Sequence, residues 1–400
     1  MALSVVDLFS GGGGMSYGFH AHPAFEIVGA VDAQIGKPSS KRGSLACNST
    51  YELNMGFSPI EADLAEVDPA ELRTALRLSG RLDVLAACPP CTGFSRTMPT
   101  NHLIDDDRNS LVTRTALFVE EFEPRVLVME NARELLSGNF AHHFENLKSA
   151  LETLQYTVHA RTHMLNRVGL PQIRERALVV AVAQGVSLRT LDELWEGFTV
   201  DPAATTVRRA IGRMRPLEAG QVDRRDPMHT APTFGAAESL ERLQAIPHDG
   251  GSWRDLWERP ETHHLLTGAM RRTAESGRWG DHPDVYGRMW WDRPAPTVKR
   301  ECGHIGNGRY AHPEQDRLLS LREIAILNGF PSTYRFGGGS LANKYRHVGD
   351  AVPPLVSHQL AWVCHWILTG VRPNIRDTVL PRCSFKPADI IPAETEHEAA

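Results

Sequence analysis

Leu3-Ser4-Val5-Val6-Asp7-Leu8 runs into Phe9-Ser10-Gly11-Gly12-Gly13-Gly14-Met15-Ser16-Tyr17-Gly18-Phe19 near the start of the chain. A β-branched run, then glycines, then a helical pattern is how an open α/β sheet lets backbone approach a ligand at a strand's carboxyl end. The dinucleotide fingerprint G-x-G-x-x-G is not met: Gly11 and Gly13 fit, but the third position is Ser16. The phosphate-binding loop is not met either, since no Gly-Lys-Ser/Thr follows. The turn suits a nucleoside-type ligand without naming it.

Working outward, Phe25-Glu26-Ile27-Val28-Gly29-Ala30-Val31 reads as a second strand and ends in Asp32. An acid at that tip suits a ribose diol, and equally suits a turn or helix cap. Asp63 is ambiguous in the same way. Leu82 to Ala87 is a third apolar strand, broken by Cys88-Pro89-Pro90-Cys91-Thr92-Gly93-Phe94-Ser95. Two prolines end the ladder and set a rigid turn. A cysteine directly after it is placed like a nucleophile, although free cysteines commonly just pack. The polar segment from Thr97 to Asp107 is long for a connection and reads as a lid. Arg125 to Met129 is another buried strand, closed by Glu130-Asn131. An acid there is costly unless paired, which favours function over a helix-terminal acid. Strands over Val158–Leu165 and Ala177–Ala183 flank Gln172-Ile173-Arg174-Glu175-Arg176. Arginines two apart on an extended segment share a face, as surface charges or as a pair beside a pocket.

The totals describe a globular chain: 400 residues, 42% hydrophobic, 23% charged. That length gives one large domain or two. A formal net charge of −5 makes no global case for nucleic acid and does not exclude a basic groove. Six cysteines spread over the chain fit a reducing compartment, not a disulfide scaffold. Neither a signal peptide nor an apolar run of membrane-spanning length is visible, so a soluble, cytoplasmic protein is expected. From Gln184 to Asp292 the strand–helix rhythm is lost and arginine occurs without lysine, which favours planar, bidentate recognition. Leu318 to Leu327 and Leu355 to Leu368 then read as helices, and the tail after Gly370 is expected to be loose.

Together these blocks resemble the C5-cytosine-specific DNA methyltransferase family over nearly the whole chain. The resemblance rests on Asp7-Leu8-Phe9-Ser10-Gly11, Pro89-Pro90-Cys91 with Gly93-Phe94-Ser95, Asp107-Arg108-Asn109 and Glu130-Asn131. It continues through Gln172 to Arg176, Arg322-Glu323 with Gly329-Phe330-Pro331, and Gly349-Asp350-Ala351-Val352-Pro353-Pro354. Seven blocks in the family's order are specific where one would be weak.

The resemblance implies an α/β, Rossmann-like S-adenosylmethionine-dependent methyltransferase sheet with a smaller, mostly irregular target-recognition domain. The division it implies is 1–183 for catalysis and cofactor, 184–292 for target recognition, 293–370 returning to the catalytic domain, and 371–400 as a tail. The last helix would come back beside the first strand.

It implies Cys91 as nucleophile, Glu130 as the acid on cytosine N3, and Arg174 and Arg176 as supports of the base. Ser95, with Arg176, would line the base pocket. Phe9, Gly11, Gly13, Asp32, Asp63, Pro89, Asp350 and Ala351 would hold S-adenosylmethionine, and no metal is expected. Double-stranded DNA is the implied partner, with a flipped-out cytosine and a monomeric enzyme. A cognate restriction endonuclease or another defence-system protein is a further partner that the family suggests. Three positions depart from the family pattern: Thr92 stands where Gln is usual, Asp350 where Asn is usual, and Met15 where an aromatic is frequent.

The rival readings are a redox or zinc-binding Cys88-x-x-Cys91, an inactive nucleic-acid-binding relative, and an RNA cytosine methyltransferase. The redox reading leaves Glu130, the arginine pair and the arginine-rich middle region without a role, and zinc binding lacks a second C-x-x-C or His pair at sensible spacing.

Overall fold

The structure, a computed structural model, describes residues 2–37, 42–90, 105, 109–279 and 284–394. The expected nucleophile Cys91, the pocket residue Ser95, Thr92 and all of the expected lid except Asp105 lie outside the described residues.

Seven strands form the central sheet: β1 (Leu3–Leu8), β2 (Phe25–Asp32), β3 (Ile60–Glu61), β4 (Val84–Ala87), β5 (Val126–Ala132), β6 (Tyr156–Met164) and β7 (Glu175–Ala183). Their spatial order is β3-β2-β1-β4-β5-β7-β6. All neighbours run parallel except at β7, which is antiparallel to both β5 and β6. This is an α/β, Rossmann-like arrangement, and its order reverses between β1 and β4. Ligands of open α/β sheets bind at such a reversal, outside the carboxyl ends of the strands.

Side-chain alternation explains why the strands read as near-continuous apolar runs. Val5, Val84, Ala86, Val126, Val128, Leu178 and Val180 fill the core on one face. Their immediate neighbours Val6, Leu85, Ala87, Leu127, Met129, Ala177 and Val179 fill the core on the other. A strand buried on both faces shows no polar alternation.

The second face is covered by helices Ser110–Phe122 and His142–Thr153, which contribute Phe118, Phe122, Leu147 and Leu151. The first face is covered by the last long helix, Pro354–Thr369, contributing Leu355, Leu360 and Val363. That helix also docks on the first, Gly14–His20: Ser357 Oγ donates to the Gly14 carbonyl at 2.9 Å, and His358 Nδ1 lies 2.8 Å from the Gly18 carbonyl. The docking is so close that a Cβ on Gly18 would lie 2.2 Å from Ser357 Oγ and 2.3 Å from the His358 nitrogen.

The expectation of a loose tail is corrected for residues 371–394. Ile375, Leu380, Cys383, Phe385 and Ile390 are buried in the first core, and Ile390–Pro392 pairs antiparallel with Phe198–Val200. The apolar residues are spaced irregularly, so no helical or strand period announced them. The same core takes in Leu191, Leu194, Trp195 and Val200. Two further cores form. One gathers Val207, Ile211, Tyr310, Ile324 and Tyr345; the other gathers Ile246, Trp253, Leu256 and Met270.

Candidate active site

The glycine turn stands at the end of β1. Phe9 adopts φ 64°, Gly11 φ 51° and Gly13 φ 91°, and Gly13 precedes the first helix as its left-handed cap. An ideal Cβ on Gly11 would meet nothing within 4 Å, so its backbone faces open space and a ligand can approach it closely. Gly14 is constrained differently: a Cβ there would lie 2.3 Å from the Val352 carbonyl and 3.0 Å from the Ala351 side chain. The segment carrying Asp350 and Ala351 is therefore pressed against the same turn. Tyr334 Oη donates to the Gly12 carbonyl from beneath. Met15 is buried in the first core, where an unbranched apolar side chain serves for the aromatic usual in the family.

Asp32, at the end of β2, accepts from the Gly11 nitrogen at 2.8 Å and from the Gln34 nitrogen at 2.6 Å. The Cys47 thiol donates to it at 3.3 Å. Burial and the Asp32 charge push that thiol up, so it stays a neutral donor. Asp63, just beyond β3, accepts from the Ala65 nitrogen at 3.0 Å and lies at the same carboxyl edge.

Pro89 follows β4 and is buried. Asn131, at the end of β5, donates through Nδ2 to the Pro89 carbonyl at 3.0 Å, which fixes the turn leading into Cys91. Cys88 is held with it: burial, and then the charges of Glu130 and Asp7, push its thiol well up. A thiol so disposed is neither a redox nucleophile nor a ready metal ligand.

Glu130 is 8% exposed. Arg176 Nε lies 2.9 Å from Glu130 Oε1, yet the N–H is not aligned on that oxygen, which accepts no hydrogen bond. A buried carboxylate oxygen left with an unaligned cation is an acceptor held ready for a ligand group. Arg176 comes from the first residues of β7, opposite Ala132, because β7 runs the other way.

Arg174 does not share that face. β7 begins only at Glu175, so two-residue alternation does not reach back to Arg174. Its guanidinium is buried and donates to the carbonyls of Val298 at 3.0 Å and Ala351 at 3.4 Å. Gln172 stitches the neighbouring backbone, donating to the Leu327 carbonyl at 3.1 Å and accepting from the Val298 nitrogen at 2.8 Å.

Asp350 pairs with Arg300, which also donates to the Gly36 carbonyl at 2.6 Å. Partial desolvation pushes the Asp350 carboxyl up to about 6, against the pull of Arg300. The carboxylate standing where the family usually has Asn thus has a cation beside it.

One edge of the sheet therefore assembles Phe9, Gly11, Gly13, Asp32, Asp63, Pro89, Glu130 and Arg176, with Ala351 and Val352 packed against its glycine turn and Asp350 preceding them in the chain. Asn131 and Arg300 are additions that sequence reasoning missed. Asn131 had a signal in standing beside Glu130 at a strand end. Arg300 had none, since its partners are 50 and 264 residues away.

Three comparisons bear on this arrangement. The family model for C-5 cytosine-specific DNA methylase matches residues 3–366. Type II methylase M.HgiDII of Herpetosiphon aurantiacus is 34% identical over 390 residues, covering 95% of this chain and 100% of that protein. Type II methyltransferase M1.BsuMI of Bacillus subtilis is 27% identical over 380 residues, covering 90% of this chain and 80% of that one. Among solved structures, a prophage-encoded E. coli protein superposes with a TM-score of 0.62 at 20% identity, covering 92% of this chain and 99% of that one. The S. pombe Dnmt2 methyltransferase superposes at 0.54 and 16% identity, covering 91% and 99%. These two likenesses speak to the fold alone. The match along nearly the whole chain, on a Rossmann-like α/β sheet, means that the chain belongs to the C-5 cytosine-specific DNA methylase family.

Proposed function

We propose that the chain methylates C5 of a flipped-out cytosine in a specific duplex sequence, through a covalent bond between Cys91 and cytosine C6. Cytosine C5 is too weak a nucleophile to attack a methyl donor unaided. Addition of the Cys91 thiolate at C6 forms a C–S bond and moves the ring's electron pair towards C5, splitting one hard step into two. Glu130 carries the proton that N3 takes up as the sulfur adds. Arg176 keeps the emptied carboxylate paired. After C5 has gained its methyl group, loss of the C5 proton to a base, water in this reading, restores the double bond as the C–S bond breaks, and N3 returns its proton to Glu130.

S-adenosylmethionine supplies the methyl electrophile. The open space before Gly11, the Asp32 carboxylate beside it and the abutting Asp350-Ala351 segment fit such a nucleoside with a charged amino-acid end. Phe9, Gly11, Gly13 and Pro89 would line it, Asp32 hold its ribose, Asp63 its adenine amino group, and Asp350 its methionine end. Ser95 completes the base pocket, and Arg174 acts as a positioning residue through Val298 and Ala351.

The region 184–292 is proposed to read the DNA. A duplex base cannot reach Cys91 without leaving the stack. The Type II names of the relatives support a restriction–modification setting with a cognate endonuclease; action in the cytoplasm as a monomer is part of the proposal. Among the described residues no helix is long and apolar enough to cross a membrane.

The observation that carries the mechanism is the buried, unaligned Glu130 oxygen beside a turn clamped by Asn131. The test is transfer of labelled methyl from S-adenosylmethionine to duplex DNA, with methylome sequencing to read the site. Cys91→Ala should abolish turnover while cofactor binding and melting temperature persist. Glu130→Gln should lower kcat by about 10²–10⁴-fold. Duplex carrying 5-fluorocytosine, from which no C5 proton can leave, should trap the wild type covalently and Cys91→Ala not at all. Full activity in Cys91→Ala refutes the mechanism, and transfer to tRNA but not DNA refutes the substrate.

A further inference from the structure

Away from the catalytic edge, three potential ligands converge beside the second face of the sheet. His142 and His143 open the helix His142–Thr153, and Asp105 lies in the connection that follows the Pro89-Pro90 turn. His143 Nε2 lies 3.0 Å from both Asp105 oxygens, and His142 Nε2 lies 3.5 Å from Oδ2. Ligand atoms of all three lie within 4.8 Å of one another. None of the three is among the residues to which catalysis or cofactor binding is assigned.

We propose that Asp105, His142 and His143 form a binding site for a borderline divalent transition-metal ion of the Zn²⁺ type. Zinc takes imidazole nitrogen and carboxylate oxygen at about 2.0–2.2 Å, so donors around one ion stand about 3.3 Å apart. The observed separations need only small side-chain rotations to reach that. Two imidazoles and one carboxylate suit zinc, cobalt and nickel; calcium or magnesium needs more oxygen than one carboxylate offers.

The carboxylate is also oriented from behind. Asn109 Nδ2 donates to Asp105 Oδ1 at 2.8 Å, which is the kind of outer contact that aims a metal ligand. His143 is oriented as well: its side chain is only 13% exposed, and the two imidazoles stand 4.2 Å apart by ring centroids. The helix N-terminus slightly disfavours a cation at this place, and the Asp105 charge offsets that. Three protein ligands leave a fourth position to water.

The test uses the full chain after chelator treatment, with Co²⁺ as the spectroscopic probe and Zn²⁺ in calorimetric competition. One equivalent of Co²⁺ should bind with visible bands and without a thiolate-to-metal charge-transfer band. His142→Ala with His143→Ala should abolish that spectrum, and Asp105→Asn, which removes a ligand, should weaken binding by more than the roughly 10–100-fold that losing an outer contact costs. The metal-free single variants His142→Ala and Asp105→Asn should melt with the wild type, since both side chains are exposed, and they test the site without the packing cost of removing His143. A thiolate band would place the ion on cysteines and overturn the assignment. So would unchanged affinity in the double variant, or the absence of Co²⁺ and Zn²⁺ binding at micromolar protein.

Discussion

Asp7 lies at the floor of the site, fully buried near the carboxyl end of β1. Ser16 Oγ donates to its Oδ2 at 2.5 Å, while Oδ1 has no hydrogen-bond partner. Burial pushes the carboxyl up to about 7, against the pull of Ser16 and with a smaller push from the Asp32 charge. In the unfolded chain the same group titrates near the ordinary value of about 3.9. Below pH 4 both states hold the proton and folding is not penalised. As pH rises, the unfolded chain releases its proton while the folded chain keeps it until about pH 7. Stability therefore falls across that window and levels off above it. The difference corresponds to about 4 kcal/mol at pH 8. With an unfolding entropy of about 2.1 cal/mol/K per residue, a chain of this length loses about 5 °C in melting temperature.

Asp7→Asn keeps an acceptor for Ser16 and removes the titration. Its buried amide has a cost of its own, about 1–3 kcal/mol, but that cost does not depend on pH. The quantity to measure is thus the melting-temperature difference, Asp7→Asn minus wild type, from pH 4 to pH 8. It should climb by about 5 °C, mostly between pH 4 and pH 7. A constant difference would show that Asp7 ionises normally, a falling one that folding lowers its carboxyl, and either would refute the reasoning.

Two further outcomes follow from packing. Gly18→Ala should cost about 1–3 kcal/mol, because the new methyl meets backbone at His358 and the first and last helices must part. A drop in melting temperature checks this, and a weaker grip on S-adenosylmethionine should accompany it, since the first helix starts at the glycine turn. Glu323→Gln should cost about 3–5 kcal/mol by leaving the fully buried Arg317 guanidinium without its counter-charge, which Glu323 now holds at 2.7 and 2.8 Å. Burial alone would raise the Glu323 carboxyl, yet Arg317 holds it below the usual range. Its contribution is therefore present at neutral pH and lost as pH falls below the ordinary carboxylate value, so the gap between wild type and variant should narrow in acid.

Local pattern made the catalytic half of the chain readable. β4 and β5 are buried along their whole length, β1 along its last four residues and β2 only near its carboxyl end. Polar residues stand at or just beyond those ends: Ser10 after β1, Asp32 closing β2, Cys88 after β4 and Glu130-Asn131 near the end of β5. Arg300 was not readable, because an arginine among loop residues says nothing about a partner 50 positions ahead. Asn131 was half readable: its adjacency to Glu130 marked the place, but only tertiary geometry shows it clamping the Pro89 carbonyl. The tail from residue 371 to 394 misled for a related reason. Its burial comes from docking onto a core built by distant strands, and a segment with prolines and no period carries no trace of that.

The direction of β7 is a different case, because connection length constrains it against β6. Ten residues separate the end of β6 at Met164 from the start of β7 at Glu175. A parallel crossover needs a dozen or more, usually with a helix, so two neighbouring strands so joined must run antiparallel. Reversal puts the start of β7, not its end, at the carboxyl edge of β5. Arg176 then stands opposite Ala132 and reaches back to Glu130. Were β7 parallel, its first residues would lie at the opposite edge of the sheet, and Glu130 would be a buried acid without a cation. The pairing of acid and arginine that the proposed chemistry requires thus follows from two connections: the helical crossover through His142–Thr153 that sets β6 parallel to β5, and the short one that turns β7 back against both.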